Sequence, residues 1–310
     1  MADPVALGKL TGPGIMNIQQ MAQASQVASG PLGSQITVSN VSKVYGAGDF
    51  AKEVVRDCSF TLDSGKLTVM IGPSGCGKST LIRMLAGFER PSTGTITLDG
   101  KPVTGPGLDR LVVFQESALF PWMSTYDNIM FGPRARGEDT PEMRAFAEGL
   151  LHKIGLDGFR KKYPAQLSGG MQRRAELARS MINKPAVMIL DEPFRGLDAM
   201  TKKLMQEYYS NLYEEFRRTT FFVTTDIDEA IYLADRILIM TNIPTQLRAV
   251  INVDLPRPRH VEDITENDDA NAIKMQALSL LHEEAMKSFA RGSKAAADFV
   301  DAYAKRMNKE

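Results

Sequence analysis

The feature that most limits the fold is an apolar run, Leu67-Thr68-Val69-Met70-Ile71, that ends in Gly72-Pro73-Ser74-Gly75-Cys76-Gly77-Lys78-Ser79-Thr80. A helical pattern then continues from Lys78 to Ala86. Five apolar residues closing on a glycine read as a strand buried in a sheet. The nonapeptide matches the spacing G-x-x-x-x-G-K-[ST] and sits between a strand and a helix, where that spacing has mechanical meaning. Its glycines let the backbone wrap tightly, so that successive N–H groups point at one anion. The helix N-terminus adds a favourable dipole. Gly72, Pro73, Ser74, Gly75, Cys76, Gly77, Lys78, Ser79 and Thr80 are therefore candidate phosphate-binding residues. Lys78 suits the β- and γ-phosphates of a nucleotide, and the Ser79 hydroxyl suits Mg²⁺. Cys76 reads as a filler within the loop, where a thiol reagent is expected to block nucleotide binding.

Around this loop, strand-like and helix-like segments alternate from Ile36 to about Asp254. Ile36–Val38, Cys58–Leu62, Thr95–Leu98, Val187–Leu190, Thr220–Val223 and Arg236–Met240 read as strands. Such alternation predicts an α/β core with a mainly parallel sheet. The stretch 126–176 is rich in helical patterning and reads as an inserted helical subdomain within a domain of about 35–255 that carries the phosphate loop. Residues 1–34 read as a flexible extension in which Ile15, Ile18 and Ala22 fit a short amphipathic helix. Pro256-Arg257-Pro258-Arg259 breaks the pattern, and 256–310 reads as a helical extension. There Ile273, Ala277, Leu280, Leu281 and Ala285 share one helical face, and Phe299, Val300, Tyr303 and Met307 a second.

A second chemical signal is Ala186-Val187-Met188-Ile189-Leu190-Asp191-Glu192-Pro193, an apolar strand ending in two acids. In a parallel sheet such a strand delivers its acids to the carboxyl edge, beside the phosphate loop. Asp191 then suits the Mg²⁺ shell, and Glu192 suits orienting or deprotonating an attacking water.

Leu167-Ser168-Gly169-Gly170-Met171 lies between the two motifs and precedes Gln172-Arg173-Arg174. With LSGG in that place the chain resembles the nucleotide-binding subunits of ABC transporters, from about Ile36 to Pro256, roughly seven-tenths of its length. The resemblance implies a P-loop NTPase core with a mainly parallel sheet, an antiparallel β subdomain, an inserted helical subdomain and C-terminal helices. It implies a head-to-tail dimer that closes on two ATP molecules with Mg²⁺, and hydrolysis that reopens it. Tyr45 would stack on adenine. Gln115 would touch Mg²⁺ and sense the membrane subunit. Ser168, Gly169 and Gly170 would hold ATP bound by the second protomer, and the loop at Asp198 would cross the dimer interface. Met171 stands where the family often has Gln.

Thr225, in Phe222-Val223-Thr224-Thr225-Asp226, occupies the place of the family's γ-phosphate-contacting histidine. Losing one such donor costs on the order of 10²–10³ in turnover. Two readings stay open here: slower hydrolysis supported by Thr225 and Glu192, or ATP binding with little hydrolysis and a structural or regulatory duty. Phe120-Pro121-Trp122-Met123, Asp127–Gly132, Asp191–Phe194 and Val253–Pro258 resemble the importer group for nitrate, sulfonates and taurine. That group implies transmembrane permease subunits, a solute-binding protein, and a peripheral place on the cytoplasmic face of the inner membrane.

Composition agrees with these expectations. Lys+Arg and Asp+Glu are both 37, a balance that gives no support to a nucleic-acid binder. No apolar run approaches the ~20 residues that span a bilayer. Two cysteines, Cys58 and Cys76, do not make a disulfide framework. The three histidines, His152, His260 and His282, lie away from the motifs and are expected at the surface. ABC-type ATPases that act on DNA or ribosomes carry coiled-coil insertions or two cassettes, and this chain shows neither.

Overall fold

The computed structural model describes residues 33–290. The expectations for Ile15, Ile18 and Ala22, and for Phe299, Val300, Tyr303 and Met307, lie outside the described residues. Two compact units are present, one of residues 119–183 and one formed by the chain on either side of them.

The larger unit holds two sheets. The first is antiparallel, in the order β2 (Lys52–Leu62), β1 (Ile36–Tyr45), β4 (Thr93–Leu98), β5 (Lys101–Pro102). The second runs β10 (Leu247–Asn252), β9 (Arg236–Met240), β3 (Leu67–Ile71), β8 (Thr219–Thr224), β7 (Val187–Asp191), β6 (Arg110–Val113). All its pairings are parallel except β10 with β9. β3 and β8 are buried along their whole length, as strands covered on both faces must be. Helix α1 (Lys78–Leu85) buries Leu81, Ile82, Met84 and Leu85 in one core. That core also takes Val38, Val55 and Ile96 from the first sheet and Met70, Ile189, Phe221 and Leu238 from the second. Burying several large side chains at ~1.5–3 kcal/mol each is what ties the two sheets together.

Register decides where the loops emerge. Ile71 pairs with Thr224, Asp191 with Val223, and Val113 with Leu190. The carboxyl ends of β3, β8, β7 and β6 therefore lie in one row. The segments after them begin at Gly72, Thr225, Glu192 and Phe114. In an open α/β sheet this edge is the place for a ligand.

The smaller unit is helical. α2 (Thr125–Ala135) is capped by Ser124, whose hydroxyl accepts from the Asp127 N–H at 3.1 Å. α3 (Pro141–Lys153) is capped by Thr140, with Pro141 at the first helical position. α4 (Gly169–Met181) is capped by Ser168. Asn128 is fully buried and pins the Phe120–Ser124 turn: its carbonyl accepts from the Phe120 N–H at 2.7 Å, and its amide donates to the carbonyls of Phe120, Met123 and Ser124, each at 3.1 Å.

In the larger unit the chain continues through α5 (Ala199–Phe216), α6 (Ile227–Leu233), α7 (Val261–Glu266) and α8 (Asp268–Ala290). α8 packs on α6, β9 and β10. Its buried positions are Ala270, Ala277 and Glu284, with Ile273, Leu280 and Leu281 half-buried. Ala285, expected on that face, is exposed, because the buried Glu284 takes the adjoining place and accepts from the Asn242 N–H at 3.2 Å. The Pro-Arg-Pro-Arg segment, which breaks the pattern in sequence, is packed onto the core through its arginines. Arg259 is buried, its guanidinium donating to the carbonyls of Ile231, Tyr232 and Ala234 at the end of α6 and to those of Val253 and Leu255. Burial pulls its pKa down to about 10. Arg257 bonds Asp235 and Glu214, each at 3.0 Å. These arginines satisfy helix-end carbonyls that would otherwise be orphaned.

Candidate functional site

The row of strand ends opens on a cavity of about 320 Å³ lined by Val54, Ser74, Gly75, Gly77, Lys78, Ser79, Thr80, Gln115, Asp191, Glu192 and Arg195. The loop after β3 reaches it through two left-handed glycines, Gly75 at φ 74° and Gly77 at φ 104°. An added Cβ at Gly77 would lie 2.7 Å from Thr245 Oγ1 and 3.0 Å from Val54 Cγ1, so no other residue fits there without displacement. Lys78 is buried, and its ammonium donates to the carbonyls of Gly72 at 2.9 Å and Pro73 at 3.0 Å. The charge is thus held folded over the loop.

Asp191 stands opposite. Burial and the neighbouring Glu192 carboxylate push its pKa up, while Lys78 and a hydrogen bond with the Ser79 side chain pull it down. Two adjacent carboxylates in a part-buried cavity form an anionic wall that a cation relieves. The donors beside it are the Ser79 hydroxyl, the Asp191 carboxylate and the Gln115 side chain, all offering hard oxygens of the kind Mg²⁺ takes. Among the described residues no group of three or more His, Cys, Asp or Glu forms a metal cage. One carboxylate, a hydroxyl and an amide oxygen suit a Mg²⁺ that completes its shell with water and phosphate.

Glu192 is nine-tenths buried and lies at φ 42°, in the left-handed region. Its N–H donates to the Val223 carbonyl at 2.9 Å, and its carboxylate accepts from Arg195 Nη1 at 3.0 Å. A non-glycine residue in that region carries strain of order 1–2 kcal/mol. Glu192 and Arg195 also line a second cavity of about 180 Å³, with Phe194, Gly196, Leu197, Lys202, Thr224, Thr225, Asp226 and Glu229. Thr225 is exposed on that wall. Lys202 is bound there to Asp226 at 2.7 Å and lies 3.7 Å from Glu229.

The other sequence candidates fall elsewhere. Tyr45 lines neither of these cavities; its hydroxyl donates to Glu89 and lies 3.5 Å from Thr80 Oγ1, and Lys43 sits 5.1 Å from the centre of its ring. Ser168 caps α4, its hydroxyl accepting from the Met171 N–H at 3.4 Å, and Gly169 and Gly170 form that helix's first turn. Asp198 caps α5 and accepts from the Thr201 N–H at 3.0 Å, bonds that hold its carboxyl below the usual range. Gly72 and Pro73 offer their carbonyls to Lys78. The three histidines are exposed, as expected.

Cys76 belongs to the loop by its main chain only. Its side chain is buried in the core beneath, and burial pushes its thiol pKa up. The expectation of a reagent-sensitive loop thiol is therefore revised. Cys58 is also buried, its thiol pushed up to about 12. Reactivity needs thiolate and access. In a dithionitrobenzoate assay, native protein is expected to release less than a tenth of the colour that the same protein gives in guanidinium. Rapid release of one equivalent, suppressed by nucleotide, would restore the earlier expectation.

Sequence reading missed Arg195, Lys202 and Val54 as cavity residues. Arg195 had one legible signal: it lies three residues after Glu192, a spacing at which a tight turn brings side chains together.

Residues 55–195 match the ABC transporter family. An ABC transporter ATP-binding protein of Methanocaldococcus jannaschii is 36% identical over 254 residues, covering 82% of this chain and 94% of that protein. The nitrate import ATP-binding protein NrtD of Synechococcus elongatus is 42% identical over 231 residues, covering 74% and 84%. The aliphatic sulfonates import ATP-binding protein SsuB of Bacillus licheniformis is 41% identical over 217 residues, covering 70% and 84%. Among solved structures, the dimeric ATP-binding cassette MJ0796 in a post-hydrolysis state with ADP and Pi superposes with a TM-score of 0.62 at 26% identity, covering 71% of this chain and all of that one. Cradle, acids and likeness over most of both chains agree: the chain belongs to the ABC transporter family, as one of its ATP-binding, ATP-hydrolysing subunits.

Proposed function

We propose that this ATPase powers solute import through partner membrane subunits, closing as a dimer on two ATP molecules. The observation that carries the reading is the single cavity in which Lys78, Ser79, Gln115, Asp191 and Glu192 meet at the carboxyl edge of the sheet. In this reading Gly72–Thr80 cradle the phosphates, Lys78 neutralises the β- and γ-phosphates, and Ser79, Asp191 and Gln115 hold Mg²⁺. The ion supplies charge neutralisation at the phosphates when bound. Glu192 orients and deprotonates water. Thr225, short and uncharged, lowers turnover without removing it, since Glu192 is retained.

Ser168, Gly169, Gly170 and Asp198 line neither described cavity. That supports assigning them to the nucleotide held by a second protomer, as does the likeness to a dimeric cassette. We assign Tyr45 to adenine because its hydroxyl adjoins Thr80 of the cradle. No described helix is long and apolar enough to cross a membrane; in this reading separate permease subunits form the transport path. We place the protein at the cytoplasmic face of the inner membrane, peripherally, with a solute-binding protein as the further partner and no nucleic acid. Relatives named for nitrate, sulfonate and bicarbonate make small anions the cargo class to test.

The test is purification from native membranes, followed by reconstitution in vesicles. A polytopic membrane protein is expected to co-purify, and ATP hydrolysis to rise severalfold when a binding protein loaded with nitrate, bicarbonate or a sulfonate is added. Recovery with nucleic acid and no membrane protein would sink the import reading.

A further inference from the structure

We propose that Arg195 binds the terminal phosphate of ATP from within the same chain, supplying the cation that the Thr225 side of the site lacks. The inference rests on the cradle reading above. Glu192 and Arg195 are the two residues that line both cavities, so the guanidinium stands where the phosphate cavity meets the Thr225 cavity. Of the other cations on these walls, Lys78 serves the cradle side and does not line the Thr225 cavity, and Lys202, which does, is bound to Asp226. Thr225 carries no charge.

Arg195 is different. Its side chain is 60% exposed, and among the described residues its guanidinium donates only from Nη1, to Glu192. A guanidinium presents five N–H donors in a planar fork, so most remain available. That fork matches phosphate oxygens two at a time. Arg195 is the exposed member of this pair and Glu192 the buried one, so the bond between them leaves most of the fork outside the packed interior. Arg195 lines the cavity that Lys78 and Ser79 share, and its bond to Glu192 ties the proposed phosphate contact to the carboxylate that handles water.

The contact is specific to the γ-phosphate, which separates it from a role in merely holding Glu192. The experiment is calorimetric titration of the full chain with Mg²⁺-AMP-PNP and with Mg²⁺-ADP, for the native protein, Arg195→Gln and Arg195→Lys, with circular dichroism as a folding check. A charge-assisted hydrogen bond is worth roughly 10- to 100-fold in binding. Arg195→Gln is expected to weaken AMP-PNP by about that factor and to leave ADP within about twofold. Arg195→Lys, which keeps charge without the fork, is expected to recover part of the loss. ATP turnover of Arg195→Gln is expected to fall by about 10². AMP-PNP affinity unchanged within twofold, equal weakening of both nucleotides, or faster hydrolysis would each overturn the proposal; the last would make the Arg195–Glu192 pair a brake. Lys78→Ala tests the underlying reading separately, since failure of the cradle shows as intact binding of both nucleotides in that variant.

Discussion

Lys78→Ala is expected to abolish detectable ATP hydrolysis and to weaken Mg²⁺-ATP binding by roughly 10²–10³-fold. The side chain is buried, and its ammonium is held by two main-chain carbonyls of the loop it closes, Gly72 and Pro73. Removing one partner of a buried, hydrogen-bonded charge contact to a ligand costs about 2–5 kcal/mol; the middle of that span, about 3–4 kcal/mol, gives that range at ~1.4 kcal/mol per decade. The fold is expected to survive. The core around α1 is built from Leu81, Ile82, Met84 and Leu85, and Lys78 is not part of it. Calorimetry on the folded variant, with its circular dichroism spectrum matched to the native protein, is the measurement. Affinity within threefold of native would remove the cradle and every role assigned from it.

How far such a site can be read beforehand depends on the kind of residue. β3, β7 and β9 were legible because strands covered on both faces must be apolar throughout. The cradle was legible because glycine, lysine and serine at that spacing serve one chemistry. β6 and β10 were not read: they are the edge strands of their sheet, and only Val113 of β6 and Ile251 of β10 are buried. The first half of β2, with Lys52, Glu53, Arg56 and Asp57, hides a strand behind charges that face solvent or pair locally, as Arg56 does with Glu53 at 2.5 Å. Buried polar groups defeated periodicity in α8, where Glu284 takes a core position because the Asn242 N–H meets it. Arg257 and Arg259 read only as a break in the pattern, because nothing local shows the carbonyls waiting for them at the end of α6. In the site, the residue types of Asp191 and Glu192 announced their chemistry, but the inward turn of Cys76 and the reach of Arg195 across two cavities exist only in three dimensions.

The second large effect separates the two acids. Glu192→Gln is expected to lower turnover by about 10³ while leaving ATP affinity within a fewfold of native. General-base assistance contributes typically ~10²–10⁴. The substitution keeps volume and hydrogen-bonding reach, so the left-handed turn, the N–H bond to Val223 and a contact with Arg195 all remain possible. What is lost is the ability to take a proton. With hydrolysis stopped and binding kept, the ATP-closed dimer should accumulate on gel filtration with ATP and Mg²⁺. Asp191→Asn should behave differently. Its carboxylate is hydrogen-bonded with Ser79 and faces Lys78, on the metal wall, so its loss should raise the Mg²⁺ concentration needed for half-maximal turnover. The contrast is the decisive reading, since a merely structural carboxylate pair would show the same defect from either change. If Glu192→Gln hydrolyses ATP within tenfold of the native rate, the water is handled by another group, and Glu192 is demoted to the partner that holds Arg195 in place.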